Sequence, residues 1–247
     1  MEWTTFHVLA VIFIATVIRS GFGFGEALIA VPLLALVMPA KVAAPLAVLV
    51  SITVAAVVLV QDWHKVHVRS ASWLVVSTFF GIPLGLWLLE TVEEAIVKAI
   101  LAGCIIGFSL YCLVGRSRLE LRSDKLAWIF GFVAGVLGGA YGMNGPPLVV
   151  YGSLRRWSPE HIRATLQGYF LPASIVGMVG YWLAGLWNRD VTYYYLISLP
   201  AALAAIVLGR WINRRMNAST FLIYVHVGLI VVGSVLLVQS FWMEKQM

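Results

Sequence analysis

At 247 residues, 61% hydrophobic and only 11% charged, with a mean hydropathy of +0.93, the chain is too apolar for a soluble domain and reads as a polytopic helical membrane protein. Its net charge of +6 is then a report on orientation across a bilayer, not a sign of a nucleic-acid partner. Cys104 and Cys112 fall in one apolar segment and suggest neither a disulfide framework nor a zinc site, and no cofactor is expected.

The start, Met1-Glu2-Trp3-Thr4, lacks the basic region of a signal peptide, so the first helix is expected to stay uncleaved. Phe6 to Ser20 reads as a helix, Gly21-Phe22-Gly23-Phe24-Gly25 as a break, and Ala27 to Met38 as a second helix. At 1.5 Å per residue these pieces are roughly 22 Å and 18 Å long against a hydrocarbon core of about 30 Å, so neither is expected to span alone. A helix that enters, breaks at the glycines and turns back fits these lengths. Backbone opened at membrane depth survives only inside protein or along a cavity, so the break predicts a site. Apolar segments follow at Val42 to Val60, Ser72 to Leu89 and Ala95 to Val114, with a polar loop from Gln61 to Arg69. The charged stretch Gly115 to Lys125 divides the chain into a first membrane repeat (1–114), a connecting loop (115–125) and a second membrane repeat (126–247). The second half reads as Leu126 to Leu137, a break from Gly138 to Pro147, Leu148 to Ser153, then Ile162 to Leu186, Val191 to Ile212 and Thr220 to Phe241.

The halves resemble each other. Setting Pro32 on Pro147 also sets Gly23 on Gly138 and Leu33 on Leu148, and Pro83 and Pro200 follow at similar distances. Glycine- and proline-interrupted segments at corresponding positions of two halves point to a transporter site. Charge tests the topology. If each broken segment crosses once, the lysines and arginines of the loops divide evenly between the two sides. If each returns to its own side, Lys65, Arg69, Arg116, Arg118, Arg122, Lys125, Arg155, Arg156, Arg163, Arg210, Arg214 and Arg215 share one side, against Lys41, Lys98, Arg189 and Lys245. The second arrangement obeys the positive-inside rule, with both termini extracytoplasmic. The expected fold is an all-α polytopic membrane protein of two inverted repeats, each a broken re-entrant helical hairpin plus three transmembrane helices.

Inverted repeats bring both breaks to the middle of the bilayer, where helix N-termini offer free N–H groups and partial positive charge to an anion. Gly23, Gly25 and Ala27 at the first break, and Asn144 and Gly145 at the second, are candidate ligands. Arg19 precedes the first break; a buried arginine either binds an oxyanion with its planar fork or pairs with Glu26. Glu26 is either that partner or a proton carrier. Tyr141 and Gln167 are candidate lining residues, while Arg163 and His161 suit the interface. His64 and His67 form a weak H-x-x-H without further ligands, and His7 and His226 read as hydrogen-bonded packing residues. No Walker loop, complete G-x-G-x-x-G, G-x-S-x-G or H-E-x-x-H is present, which argues against nucleotide hydrolysis and intramembrane enzymology.

The first glycine cluster (Gly21, Gly23, Gly25) with Val31-Pro32-Leu33-Leu34, and the second (Gly138, Gly139, Gly142, Gly145-Pro146-Pro147-Leu148) followed by Arg163-Ala164-Thr165, resemble the TauE/SafE sulfite exporter family over essentially the whole chain. The resemblance implies a bacterial inner-membrane permease for sulfite or organosulfur anions, working without a catalytic residue or metal. The leading expectation is thus a secondary transporter of a small anion in the lipid bilayer, with Glu26 as a candidate for proton coupling. The alternatives are a non-transporting assembly or sensor subunit and an anion channel. Monomer and dimer are both compatible with the sequence.

Overall fold

The computed structural model describes residues 2–62, 68–114, 121, 126–157, 159–213 and 218–244. The described residues form ten helices and no strand: α1 (Glu2–Phe22), α2 (Glu26–Ala35), α3 (Ala40–Asp62), α4 (Val68–Thr91), α5 (Glu94–Val114), α6 (Ala127–Tyr141), α7 (Gly145–Leu154), α8 (Pro159–Leu183), α9 (Arg189–Asn213) and α10 (Ala218–Glu244). Five of them, α1, α3, α4, α5 and α9, hold stretches long and apolar enough to cross a bilayer.

Two sequence expectations need correcting. The helix before the first break runs from Glu2 to Phe22, 21 residues or about 31 Å, and is long enough to span by itself. The ends misled the length estimate: Glu2 to Thr5 form the first turn, and Gly21 and Phe22 extend the last. The breaks are also narrower than the glycine clusters. α1 runs through Gly21 to Phe22, with Gly23 N–H still bonding Arg19 O at 2.6 Å, and α6 continues through Gly138 and Gly139 to Tyr141.

The element boundaries also reset the match between the halves. Phe22 and Tyr141 end their helices, Glu26 and Gly145 start the short ones, and Ala40 and Pro159 start the long ones that follow. Gly23 and Gly142, both with positive φ (86° and 66°), fall opposite each other in this register. It lies about one helical turn from the proline match. The prolines misalign because they do different work. Pro146 and Pro147 sit in the first turn of α7, where a missing N–H costs nothing. Pro32 lies inside α2.

Side-chain contacts fix how the helices run. α2 folds back along α1, since Arg19 meets Glu26 while His7, about three turns earlier on α1, donates from Nε2 to Leu33 O (3.2 Å). α3 leaves from the end of α2 and brings Ser51 to the level of Arg19, so it runs with α1. α4 runs against α3, because Lys41 at the start of α3 donates to Glu90 O near the end of α4 (2.9 Å). α6 runs with α4: Gly131 abuts Leu74 and Ser77, Gly135 abuts Thr78 and Gly81, and Gly139 abuts Ile82 and Leu86. α8 runs with both. Thr78 Oγ1 meets Tyr169 Oη (2.6 Å) and donates to Gly131 O (2.9 Å) at one level; Gly180 packs on Leu86 at the next. α10 opposes α5, with His226 edge-on to Phe108 and Gly233 against Ile105 and Ile106.

Packing between the halves is reciprocal. α1 lies chiefly on α9 and α6 chiefly on α4, so the helix before each break is braced by the fourth helix of the other half. Around this core Trp3, Trp73, Trp87, Trp182, Trp211 and Trp242 are all more than half exposed and stand within about five residues of a helix end. Tryptophan at both ends of apolar helices is the pattern of an interfacial aromatic belt.

Candidate functional site

The two breaks open onto one small cavity. Arg19, Phe24, Gly25, Glu26, Ala27, Leu28 and Ser51 line it from the first half, and Gly142, Met143, Asn144, Gly145, Pro146, Phe170 and Ser174 from the second. Its volume, ≈ 20 Å³, is room for about one water molecule. The site as it stands holds little beyond its own side chains, and a larger ligand requires some of them to move.

Local sequence explains the geometry of each break. Gly25 stands at the N-cap of α2 with φ 99°, a conformation that costs an L side chain energy and glycine nothing. Ile29 N–H is the first to bond back into the helix, to Gly25 O (3.1 Å). The N–H groups of Glu26, Ala27 and Leu28 precede that bond and have no partner further down the helix. In the second break Gly142 closes α6, its N–H returning to Gly138 O (2.8 Å), and Met143 N–H bonds Leu137 O (3.1 Å). Asn144 caps α7 without a side-chain capping bond. Pro146 and Pro147 have no N–H to offer, so of the first three helical positions only Gly145 keeps a donor.

The charged pair dominates the electrostatics. Arg19 is 4% and Glu26 1% exposed. Arg19 Nη1 donates to Glu26 Oε2 at 2.7 Å and also to Ser51 Oγ. Thr16 Oγ1 donates to Glu26 Oε1 at 3.0 Å. The guanidinium lies over the Phe170 ring, 5.0 Å from its centre, a cation–π contact in a dry setting. Its other edge is uncommitted: Nε and Nη2 have no hydrogen-bond partner among the described residues. One arginine thus neutralises its carboxylate with one nitrogen and holds two donors in reserve, at the start of a helix whose dipole adds positive potential.

The residues singled out in the sequence divide as follows. Arg19, Gly25, Glu26, Ala27, Asn144 and Gly145 come together on the cavity. Gly23 shapes the first break but does not line the cavity. Tyr141 is turned away, fully buried, with its hydroxyl donating to Val97 O on α5 (2.8 Å). Gln167 belongs to α8, but its side chain lies outside the described residues, as do His64, His67 and the side chains of His161 and Arg163. His226 packs on Phe108, its Nδ1 without a partner. Sequence reasoning missed Thr16, Ser51, Phe170 and Ser174. A small hydroxyl residue within an apolar helix is too common to stand out, and Phe170 looks like any lipid-facing aromatic.

Half-helices that start from opposite halves of a multi-pass bundle and close on one buried charged cavity are the architecture of membrane transporters. The family comparison makes that specific: residues 8–236 match the sulfite exporter TauE/SafE family, and the chain belongs to it. A protein of Cupriavidus necator named as a probable sulfite/organosulfonate exporter TauE is 24% identical over 195 residues, 77% of this chain and 76% of that one. A protein of Bacillus subtilis named as the probable membrane transporter protein YunE is 30% identical over 112 residues, 44% of this chain and 40% of the relative. No solved structure matches the chain.

Proposed function

We propose that the protein is a secondary transporter that carries sulfite or an organosulfonate across the bacterial inner membrane, alternately opening the cavity between the two breaks to either side. The observation that carries this reading is the uncommitted edge of Arg19. Two buried guanidinium nitrogens without a hydrogen-bond partner, on a residue that lines a cavity at a helix N-terminus, suit two oxygens of one sulfur oxyanion. The relative named for sulfite and organosulfonate export points to the same class of anion. A cavity closed to about one water fits an occluded state of a carrier better than an open channel.

The scaffold of this reading is a pair of inverted repeats with re-entrant hairpins. Its support is the helix directions. α1 and α3 run one way and α4, α6 and α8 the other, so the two hairpins enter from opposite faces and each returns to its own. Leu121, the described residue of the central loop, bonds Leu154 O (2.9 Å) and accepts from Arg155 (2.9 Å) at the C-terminal end of α7. That is the face rich in lysine and arginine, which positive-inside topology makes cytoplasmic, leaving both chain termini outside. Cysteine labelling from either side at Ser123 and Glu244 is expected to report opposite faces; one shared face would overturn this topology.

Function is tested by binding and counterflow. Sulfite or a simple alkanesulfonate is expected to raise the melting temperature of the purified protein and to exchange across proteoliposomes with saturation. Flux that never saturates would make it a channel. Absence of both stabilisation and flux would leave a membrane subunit whose breaks serve only packing.

A further inference from the structure

Resting on that reading, we propose that the cavity carries a singly charged oxyanion together with one proton, and that Glu26 is the proton's seat. The argument is charge balance in a closed space. Among the described residues, Arg19 and Glu26 are the only charged ones lining the cavity. Thr16, Ser51, Ser174 and Asn144 face the pair from α1, α3, α8 and the second break and are neutral. At rest the two charges cancel through one short hydrogen bond. An anion on the Nε and Nη2 edge leaves the sum at minus one, beside a pair that is only 4% and 1% exposed and so largely shielded from water. An unbalanced charge in such surroundings is neutralised by taking up a proton. Glu26 is the one acid there, and a proton on its carboxyl restores the balance: cationic arginine, neutral acid, single anion.

The local hydrogen bonds suit both states. Thr16 now donates to Glu26 Oε1; a hydroxyl both donates and accepts, so the same residue receives the O–H of the protonated acid. Arg19 stays anchored through Ser51 while Glu26 loses its charge. The proton comes from water on the side from which the anion enters and leaves with it on the other. No other bond forms or breaks. A dianion finds no second cation among the described lining residues, and the prolines of α7 withhold backbone donors that would compensate.

The test uses purified full-length protein in proteoliposomes, with ethanesulfonate as the singly charged probe and ethane-1,2-disulfonate as the doubly charged one. Ethanesulfonate remains anionic throughout the working pH range. An imposed pH gradient, acid outside, is expected to accumulate it about tenfold per pH unit and to acidify a trapped indicator. An imposed potassium diffusion potential is expected to leave that accumulation unchanged. Glu26→Gln is expected to lose the response to the pH gradient, and Glu26→Asp to keep it. The disulfonate is expected to be poorly accumulated. Ethanesulfonate flux that follows the potential and ignores the pH gradient would overturn proton coupling while leaving anion transport intact. Wild-type protein without flux and without anion-dependent stabilisation would overturn both readings. If Glu26→Gln does not fold, the two wild-type gradients decide the matter alone.

Discussion

The two breaks occupy equivalent places in the chain but are built from different chemistry. The first joins two left-handed glycines to a buried ion pair and a helix start with free N–H groups. In the structural register, Arg19 falls opposite Gly138, Glu26 opposite Gly145 and Gly25 opposite Asn144. The second break therefore has no charge, an amide, and a helix start whose donors are largely removed by Pro146 and Pro147. Equivalent helix N-termini suggest two breaks of equal weight. On the proposed reading, the first break binds the anion and the second closes over it.

The largest effect that sharpens this contrast is expected at Arg19. Arg19→Gln leaves Glu26 buried without its cation, a loss of about 3–5 kcal/mol for one-sided removal of a buried pair. The double variant with Glu26→Gln is expected to regain most of the stability in a detergent melt but none of the anion-dependent shift. Arg19→Lys is expected to fold and to bind weakly, since a lysine lacks the planar fork. Nothing in the second break should show comparable sensitivity by charge. If Asn144→Ala proves as damaging as Arg19→Gln, the division of labour is wrong.

Next comes the bracing of the helices that lead to the breaks. α6 meets α4 through a row of glycines, and a methyl group on Gly139 would run into the backbone at Ile82. On the α1 side, Gly21 faces Gly209 O, 3.3 Å from where a methyl carbon would stand. Gly139→Ala is expected to cost about 1–3 kcal/mol by overpacking, and Gly21→Ala less. Melting curves of the two variants compare the seams directly. Equal losses would mean that α1 and α6 are braced alike after all.

Much of the fold was legible because its signals are long. The all-helical character and the apolar segments are sums over many residues. The site was legible where a residue breaks a strong rule: Arg19 and Glu26 are charges in apolar helices, and Gly25 precedes a helix start. Lengths and registers were not, because they turn on single residues. Gly21 and Phe22 gave no sign that α1 continues, and matching prolines of unlike role shifted the match between the halves by a turn. Tyr141 looked like a lining residue from its place beside the break. The last turn of α6 rotates it toward Val97 O instead, an outcome that depends on where α5 lies. Ser51 and Phe170 meet Arg19 only once three helices are assembled.

A smaller effect separates the glycines at the two helix starts. Gly25 has φ 99° and open space where a methyl would go, whereas Gly145 has no positive φ and would place that methyl 3.6 Å from Phe170, an ordinary contact. Gly25→Ala is thus strained whatever the room around it, by roughly 1–2 kcal/mol, and misdirects the N–H groups of Glu26 and Ala27. Gly145→Ala is expected to be nearly neutral in stability and in anion-dependent melting. Equal behaviour of the two would remove the special role given to the start of α2.

The smallest effect is the most direct test of why the second break binds less. Pro146 lines the cavity at the first turn of α7 and denies it a donor. Pro146→Ala restores one N–H at a position with no helical partner for it, while the lost rigidity of the unfolded chain costs about 0.4–1 kcal/mol. The variant is therefore expected to melt slightly earlier than wild type without ligand, yet to gain more from a saturating alkanesulfonate. Pro32→Ala inside α2 restores an N–H that the helix itself can use, so it is expected to change the unliganded melt without enlarging the ligand shift. The comparison needs six melting curves, wild type and each variant with and without the anion. If Pro146→Ala loses stability and gains nothing from ligand, the prolines serve the bend alone, and the weaker anion chemistry of the second break must lie in its missing charge.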